Sequence, residues 1–356
     1  MTRDIAVKRS APTVGEAEWT SPWWEPGFEA SEVIPSWEAT TPLGTWIEVE
    51  LRGRRANGSQ TDWFTLARWC SQSPDEGAPL ARSSAHVRPR DGISVEGDTL
   101  TLGEEHPVAL QARIRSCALE GVQKSATLGR VCIMASALPE TVPPTSVFTL
   151  QEEVRIDVAP LSQRVLLDLY PHWDKGGQHW CSPTSTTMVL QHWNKGPAGD
   201  ELTWVDAPAQ PEVVQAARGC FDHGLEACGN WAFNTAWAAQ YDVHAFVTRL
   251  RGLDEAERFI AVGIPLVMSI RFETDELDGA GYRTNGHLVV LKGFTQSGDV
   301  IVNDPNAHKT AFVENVETVF RRDQFEACWM RGSGGAIYVI HPDEVDLPAA
   351  PQQANW

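Results

Sequence analysis

Positive charge is scarce in this chain: 29 Lys and Arg stand against 47 Asp and Glu, a formal net charge of −18. Such a surface repels a phosphate backbone or an anionic bilayer, so neither nucleic acid nor a membrane is an expected partner. No apolar run approaches the roughly 18 residues of a spanning helix, and the polar lead from Met1 to Glu16 lacks the apolar core of a cleavable signal. A cytoplasmic location, or export without a classical signal peptide, is expected. Cysteine is sparse as well: seven, an odd number, scattered with no C-x-x-C pair. That excludes a zinc ribbon and a fully paired disulfide framework. Cys220 and Cys228 are close enough in sequence to bridge in an oxidising compartment, and are otherwise two reduced thiols. The ten His form no H-E-x-x-H or comparable grouping, so no metal is expected, and no cofactor signature or Walker phosphate loop is present.

What the sequence does hold is apolar mass, 42% of 356 residues, enough for two cores. Residues 1–18 read as a flexible lead. From 19 to 138 helical periodicity is nearly absent, and alternation takes its place: Ile47, Val49 and Leu51 against Glu48, Glu50 and Arg52, then Val108, Leu110, Ala112 and Ile114 against Gln111, Arg113 and Arg115. Turn signals at Asn57-Gly58, Asp91-Gly92 and Glu96-Gly97 separate the runs, which predicts an all-β, jelly-roll-like sandwich. Seven of the 15 Trp fall before residue 70. They are either core or a face that stacks on a glycan or an extended peptide, which makes such a ligand a candidate partner of this domain. A Pro-rich linker over 139–150 ends the domain, and the two halves are expected to separate there. A second domain over 151–345 and a tail over 346–356 follow.

The second domain changes pattern. Helical stretches are predicted at Pro211 to Phe221, Trp231 to Tyr241 and Asp254 to Val262, with Asn230 as an N-cap, and strands at Pro265 to Arg271, His287 to Lys292, Asp299 to Asn303 and Ala336 to Ile340. This is α+β order. Ahead of them, Cys181 precedes a Pro183-led helix running to Trp193, with Met188, Val189 and Trp193 as an apolar face. Free N–H groups at a helix start favour a thiolate, so Cys181 is a candidate nucleophile, although free Cys is often only a buried hydrophobe. His287 opens one strand beside Gly286, and Asp304 closes the next. A short turn at Thr295 to Gly298 makes the two strands antiparallel neighbours, which brings His287 beside Asp304. An imidazole that takes the thiol proton and a carboxylate that fixes its tautomer are what a cysteine nucleophile requires. His179, His192 and His308 lack such a position, and Trp231 and Trp237 read as packing.

The segments Trp180-Cys181-Ser182-Pro183-Thr184-Ser185, Gly229-Asn230-Trp231-Ala232-Phe233-Asn234-Thr235-Ala236, Gly286-His287-Leu288-Val289-Val290 and Val302-Asn303-Asp304-Pro305 resemble those of the bacterial papain-like peptidases grouped with the bacteriocin leader-processing family. The resemblance covers Val154 to Pro342 and is to stand-alone members with an N-terminal β domain and no transporter. It implies a papain-like fold in which Cys181, His287 and Asp304 match nucleophile, general base and orienting acid, acting on a peptide or protein. An oxyanion donor is also implied; Ser162-Gln163 resembles the family's segment, while Gln178 lies nearer the Cys. The span from Gln163 to Cys181 is longer than the family pattern, so part of Arg164 to Gly176 is expected to bulge. Three readings follow: a cysteine peptidase or amidase, a transglutaminase-type acyl transferase, and an idle scaffold that binds glycan or peptide.

Overall fold

The computed structural model describes residues 3–12, 17–90, 92–103, 106–307 and 316–356. The first half is all β: β1 (Asp4–Ser10), β2 (Glu18–Thr20), β3 (Glu32–Thr40), β4 (Thr45–Arg54), β5 (Phe64–Trp69), β6 (Ser83–Arg90), β7 (Ile93–Gly97), β8 (Thr99–Thr101), β9 (Ala109–Ala118) and β10 (Thr127–Ala137). In place of two separate sheets, the ten strands form one hydrogen-bonded path, in the order β1-β10-β3-β8-β7-β6-β5-β4-β9-β2. Its two limbs turn toward each other, and Trp37 of β3 meets Trp69 of β5 at a ring-centroid distance of 6.3 Å.

The lead is corrected at once. Asp4 to Ser10 pairs along its length with Ser10↔Val131 to Asp4↔Ala137, and Ile5 is fully buried. A strand written Asp-Ile-Ala-Val-Lys-Arg-Ser carries too few apolar residues to show a period, so pairing decides its structure.

After a segment without regular structure come β11 (Val154–Arg155), α1 (Cys181–His192), α2 (Pro211–Cys220), α3 (Trp231–Ala238), β12 (His244–Arg249), α4 (Leu253–Ala261), β13 (Leu266–Phe272), β14 (Thr284–Phe294), β15 (Val300–Asn303), β16 (Glu317–Phe320), α5 (Arg322–Ser333) and β17 (Ala336–His341). The sheet order is β12-β17-β13-β14-β15-β16, with β11 on β14. The layout is therefore an all-β half followed by an α+β half. Asn230 caps α3 as expected, its Oδ1 accepting from Phe233 N at 3.0 Å. Helix α1 differs from its reading, since Ser182 to Leu190 are all buried and no polar face meets water. Its hydroxyls find partners inside: Ser182 with the Tyr338 hydroxyl at 2.8 Å and Ser185 donating to Leu288 O at 3.0 Å.

The halves share a core. Phe233 of α3 lies 6.1 Å from Trp37 and 5.2 Å from Trp69, so one aromatic of the second half closes the mouth of the folded sheet. Polar groups cross the same seam. Arg82 is wholly buried and donates to the carbonyls of Cys70, Ser71 and Arg218, while Asp222 accepts from Ser84 N at 2.9 Å and Asn230 Nδ2 at 2.9 Å. The tail returns to this core as well: Trp356 is buried, and Ala354 O accepts from Val7 N.

Of the early tryptophans, Trp37 and Trp69 are core. Trp23 and Trp63 are half-buried and lie under guanidinium groups, with Arg52 at 5.0 and 4.4 Å and Arg113 over Trp63 at 4.4 Å.

Candidate active site

Three elements bring the site together. Cys181 stands at the first position of α1, whose N-cap residue, Trp180, supplies no side-chain cap. The first-turn N–H groups are thereby left for another acceptor. Trp180 is itself anchored, fully buried and donating its indole N–H to Trp173 O at 2.8 Å. On the sheet, Val290↔Asn303 pairing of β14 with β15 puts Asp304, just past β15, near His287, which does not open its strand as expected but lies three residues inside β14, where Thr284 to His287 continue the pairing with β13.

His287 and Asp304 are 3% and 2% exposed, and His287 Nε2 lies 2.7 Å from Asp304 Oδ1. Cys181, half-buried, lines the same cleft as His287 and favours the charged imidazole; with Nε2 held by Asp304, Nδ1 is the ring nitrogen left for the sulfur. Burial opposes charge on this ring, but Asp304 and then Cys181 outweigh it and raise the His287 pKa to about 10. Burial also works against the Asp304 carboxylate; His287, the Asn306 N–H and the Tyr282 hydroxyl prevail and hold its pKa below the usual carboxylate value.

Tyr282 is the residue that sequence reasoning misses. It lies in the connection from β13 to β14, donates to Asp304 Oδ2 at 2.8 Å and stands edge-on to the His287 ring at 5.7 Å. Asn306 N donates to Asp304 Oδ1 at 2.8 Å. A Tyr in a Gly-rich connection carries no periodic signal; only the fold brings it over the carboxylate.

Gln163 opens a short 3-10 turn and is buried, and both it and Gln178 line the cleft. Its Nε2 donates to the carbonyls of Gly177 and Gln178, each at 2.9 Å. The chain between Gln163 and Cys181 does loop out, closed by a Leu167↔Gly176 bridge. Gly177 is required there, because a Cβ would stand 2.4 Å from Gln163 O.

The cleft has a volume of about 690 Å³. His179 pairs with Asp174 at 2.8 Å and lines it, and so does Trp231, which the sequence reads as packing. Its placement at the first turn of α3 turns the ring outward into the cleft, while Trp237 is buried in the way expected. His192 is bound to Asp157 O, and His308 lies outside the described residues. Cys220 and Cys228 are both buried free thiols. Among the described residues no helix is long and apolar enough to cross a membrane.

An all-β half joined to an α+β half, with a cysteine, a histidine and an aspartate at one cleft, defines a class that the sequence comparisons identify. Residues 2–136 match the Peptidase C39 N-terminal domain, and residues 155–337 match the Peptidase C39 like family. The chain belongs to the Peptidase C39 like family. No curated protein matches it. Among solved structures it is similar to a Bacillus anthracis protein provisionally described as a C39-like peptidase, at 18% identity and a TM-score of 0.35 over 56% of this chain and 100% of that one. A chain from the infectious bursal disease virus Gx strain is similar at 9% identity and a TM-score of 0.20, over 37% and 32% of the two chains.

Proposed function

We propose that the protein is a papain-like cysteine peptidase that cleaves a peptide or isopeptide bond through an acyl-enzyme. The observation that supports this reading is the buried His287 imidazole, which has Asp304 on one ring nitrogen and shares its cleft with Cys181 at the start of α1. The Cys181 sulfur attacks the acyl carbon, its proton passes to His287, and the oxyanion is received by the Cys181 backbone N–H at the uncapped helix start. His287 then gives that proton to the leaving amine, and water, deprotonated by the same ring, releases the acid and restores the thiol. Gln163 is the proposed second oxyanion donor. It rests on two carbonyls in the free protein, so it must exchange one of them for the substrate oxygen.

The test is the rate at which a reporter electrophile acylates Cys181, in variants with unchanged melts. The expected order is wild type, then Asp304→Asn, which still accepts from the ring N–H, then Asp304→Ala, then His287→Ala. On a cleavable peptide, Gln163→Ala should cost about 10² to 10³ in kcat, and Gln178→Ala much less. Equal acylation of wild type and His287→Ala would leave Cys181 an ordinary thiol and move the weight to a binding protein.

A further inference from the structure

The cleft does not end at Cys181. Trp231 and Gly332 line both it and a second cavity of about 360 Å³ set in the seam between the halves. Thr99 from the first half, Val142 from the connecting segment and Ser333 from the second half share that cavity. Trp231 is held in place from across the seam, where Asp98, between β7 and β8, accepts its backbone N–H at 2.6 Å. The two cavities therefore adjoin at Trp231 and Gly332, and Asp98 of the first half fixes Trp231 at that border.

The far cavity holds an unusual cation. Arg3 is 9% exposed and donates from one terminal nitrogen to Gly334 O at 2.6 Å, but its Nε is buried with no hydrogen-bond partner. Among the described residues no carboxylate lies within ion-pair distance of it. The other two arginines on this cavity are already matched, Arg249 with Glu32 at 2.6 Å and Arg331 with Glu276 at 2.7 Å. Burial first, then the like charges of Arg249 and Arg251, disfavour the Arg3 cation and outweigh the attraction of Glu255 and Glu326, so an incoming carboxylate would relieve a standing cost. Three arginines stand against Glu32 and Glu140 on this cavity, a local excess of positive charge in a chain of net charge −18.

We infer that the seam cavity is an extended subsite, in which a polypeptide substrate passes from the Cys181 cleft over Trp231 and Gly332 and sets an Asp or Glu side chain against Arg3. This rests on the peptidase reading above and gives the β half a part in choosing substrate. A charge-assisted pair in a partly dry groove corresponds to roughly 10- to 100-fold in affinity.

Digestion of a proteome-derived peptide library by the full chain tests it. Asp and Glu should be enriched at one fixed position on one side of the cut. For the best peptide, changing that Glu to Gln should lower kcat/KM roughly 10- to 100-fold, mainly through KM. Arg3→Met, with its fold checked by an unchanged melt, should erase the difference, and Arg3→Lys should keep part of it. A second measurement needs no turnover: the Cys181→Ala protein should bind fluorescein-labelled hexaglutamate more tightly than hexaglutamine, and the added Arg3→Met change should remove the gap. Cleavage without acidic preference, or equal binding of the two peptides, overturns the subsite and leaves the peptidase reading standing. A library cut equally well by Cys181→Ala overturns the peptidase reading, and the substrate subsite with it.

Discussion

Tyr282 and Asp304 are joined by a hydrogen bond of 2.8 Å on the carboxylate oxygen that His287 does not use. With Asn306 N on the other oxygen, the carboxylate has little freedom to rotate, and the imidazole it holds is aimed at Cys181. Tyr282 is thus a positioning residue. Tyr282→Phe should lower kcat on a peptide roughly 3- to 30-fold, since a hydrogen bond to a charged group is lost and the ring packing is kept. The sign of the pH effect follows from the lowered Asp304 pKa. The carboxylate's contribution to stability and activity is present above its unfolded value and lost as pH falls through the lower folded one. Without Tyr282 the folded value rises, so the acid limb of the rate profile should move to higher pH. A profile that drops in height without moving would mean a merely structural role.

Thiol chemistry should single out Cys181. Burial raises the pKa of Cys70, of Cys117 and, further, of Cys228 and Cys220; it pushes Cys132 up to about 12 and Cys328 to about 11. Cys181 is partly exposed at the cleft that His287 also lines, whereas Cys132, which lines a small cavity with His244 and His341, is buried. Competitive iodoacetamide mapping at pH 6 is expected to alkylate it at least tenfold ahead of the other six. Faster reaction at Cys117, the other partly exposed thiol, would count against the assignment.

The shared core predicts one melt in place of two. Phe233→Ala opens a cavity between Trp37 and Trp69 and should cost about 3 to 5 kcal/mol, lowering a single calorimetric transition. Two resolved transitions in wild type would show that the seam is weaker than its packing implies.

Asp98 makes the stability of this seam depend on pH. Burial raises its pKa from 3.8 to about 6, against the N–H groups of Trp231 and Ala232. The folded protein therefore keeps a proton between about pH 4 and 6 that the unfolded chain releases. This contribution is complete below about pH 4 and lost as pH rises through 6. Asp98→Asn still accepts from Trp231 N–H without burying a charge. Its stability relative to wild type should grow by on the order of 1 to 3 kcal/mol from pH 4 to pH 7, read from paired denaturant titrations. A constant difference across that range would mean that Asp98 titrates normally.

Much of the site could be read in the sequence because its chemistry is local. A cysteine at a helix start, and a histidine and an aspartate at facing ends of one hairpin, are set by short-range rules, and the structure brings these three together. Strands β13, β14, β15 and β17 are legible through continuous apolar runs, whereas β11, β12, β16 and α5 are not: in α5, Arg-Asp-Gln-Phe-Glu-Ala-Cys-Trp buries one side with few apolar residues. Strand β1 and Tyr282 escaped notice for a common reason, since each is defined by a partner more than 20 residues away in the chain. The seam escaped it too. Alternation tells which side of a strand is buried, but not that a helix from the other half covers the end of the sheet.

The aromatic closure of the folded sheet also bears on how the chain is made. Trp37 and Trp69 leave the ribosome well before Phe233, and at roughly 5 to 20 residues per second the wait is on the order of ten to thirty seconds. During that interval the β half has an uncovered apolar mouth and a buried-type arginine, Arg82, whose acceptor on Arg218 does not yet exist. Docking of the second half, which brings Phe233 and the Arg218 carbonyl, is therefore the step that covers this surface and satisfies Arg82.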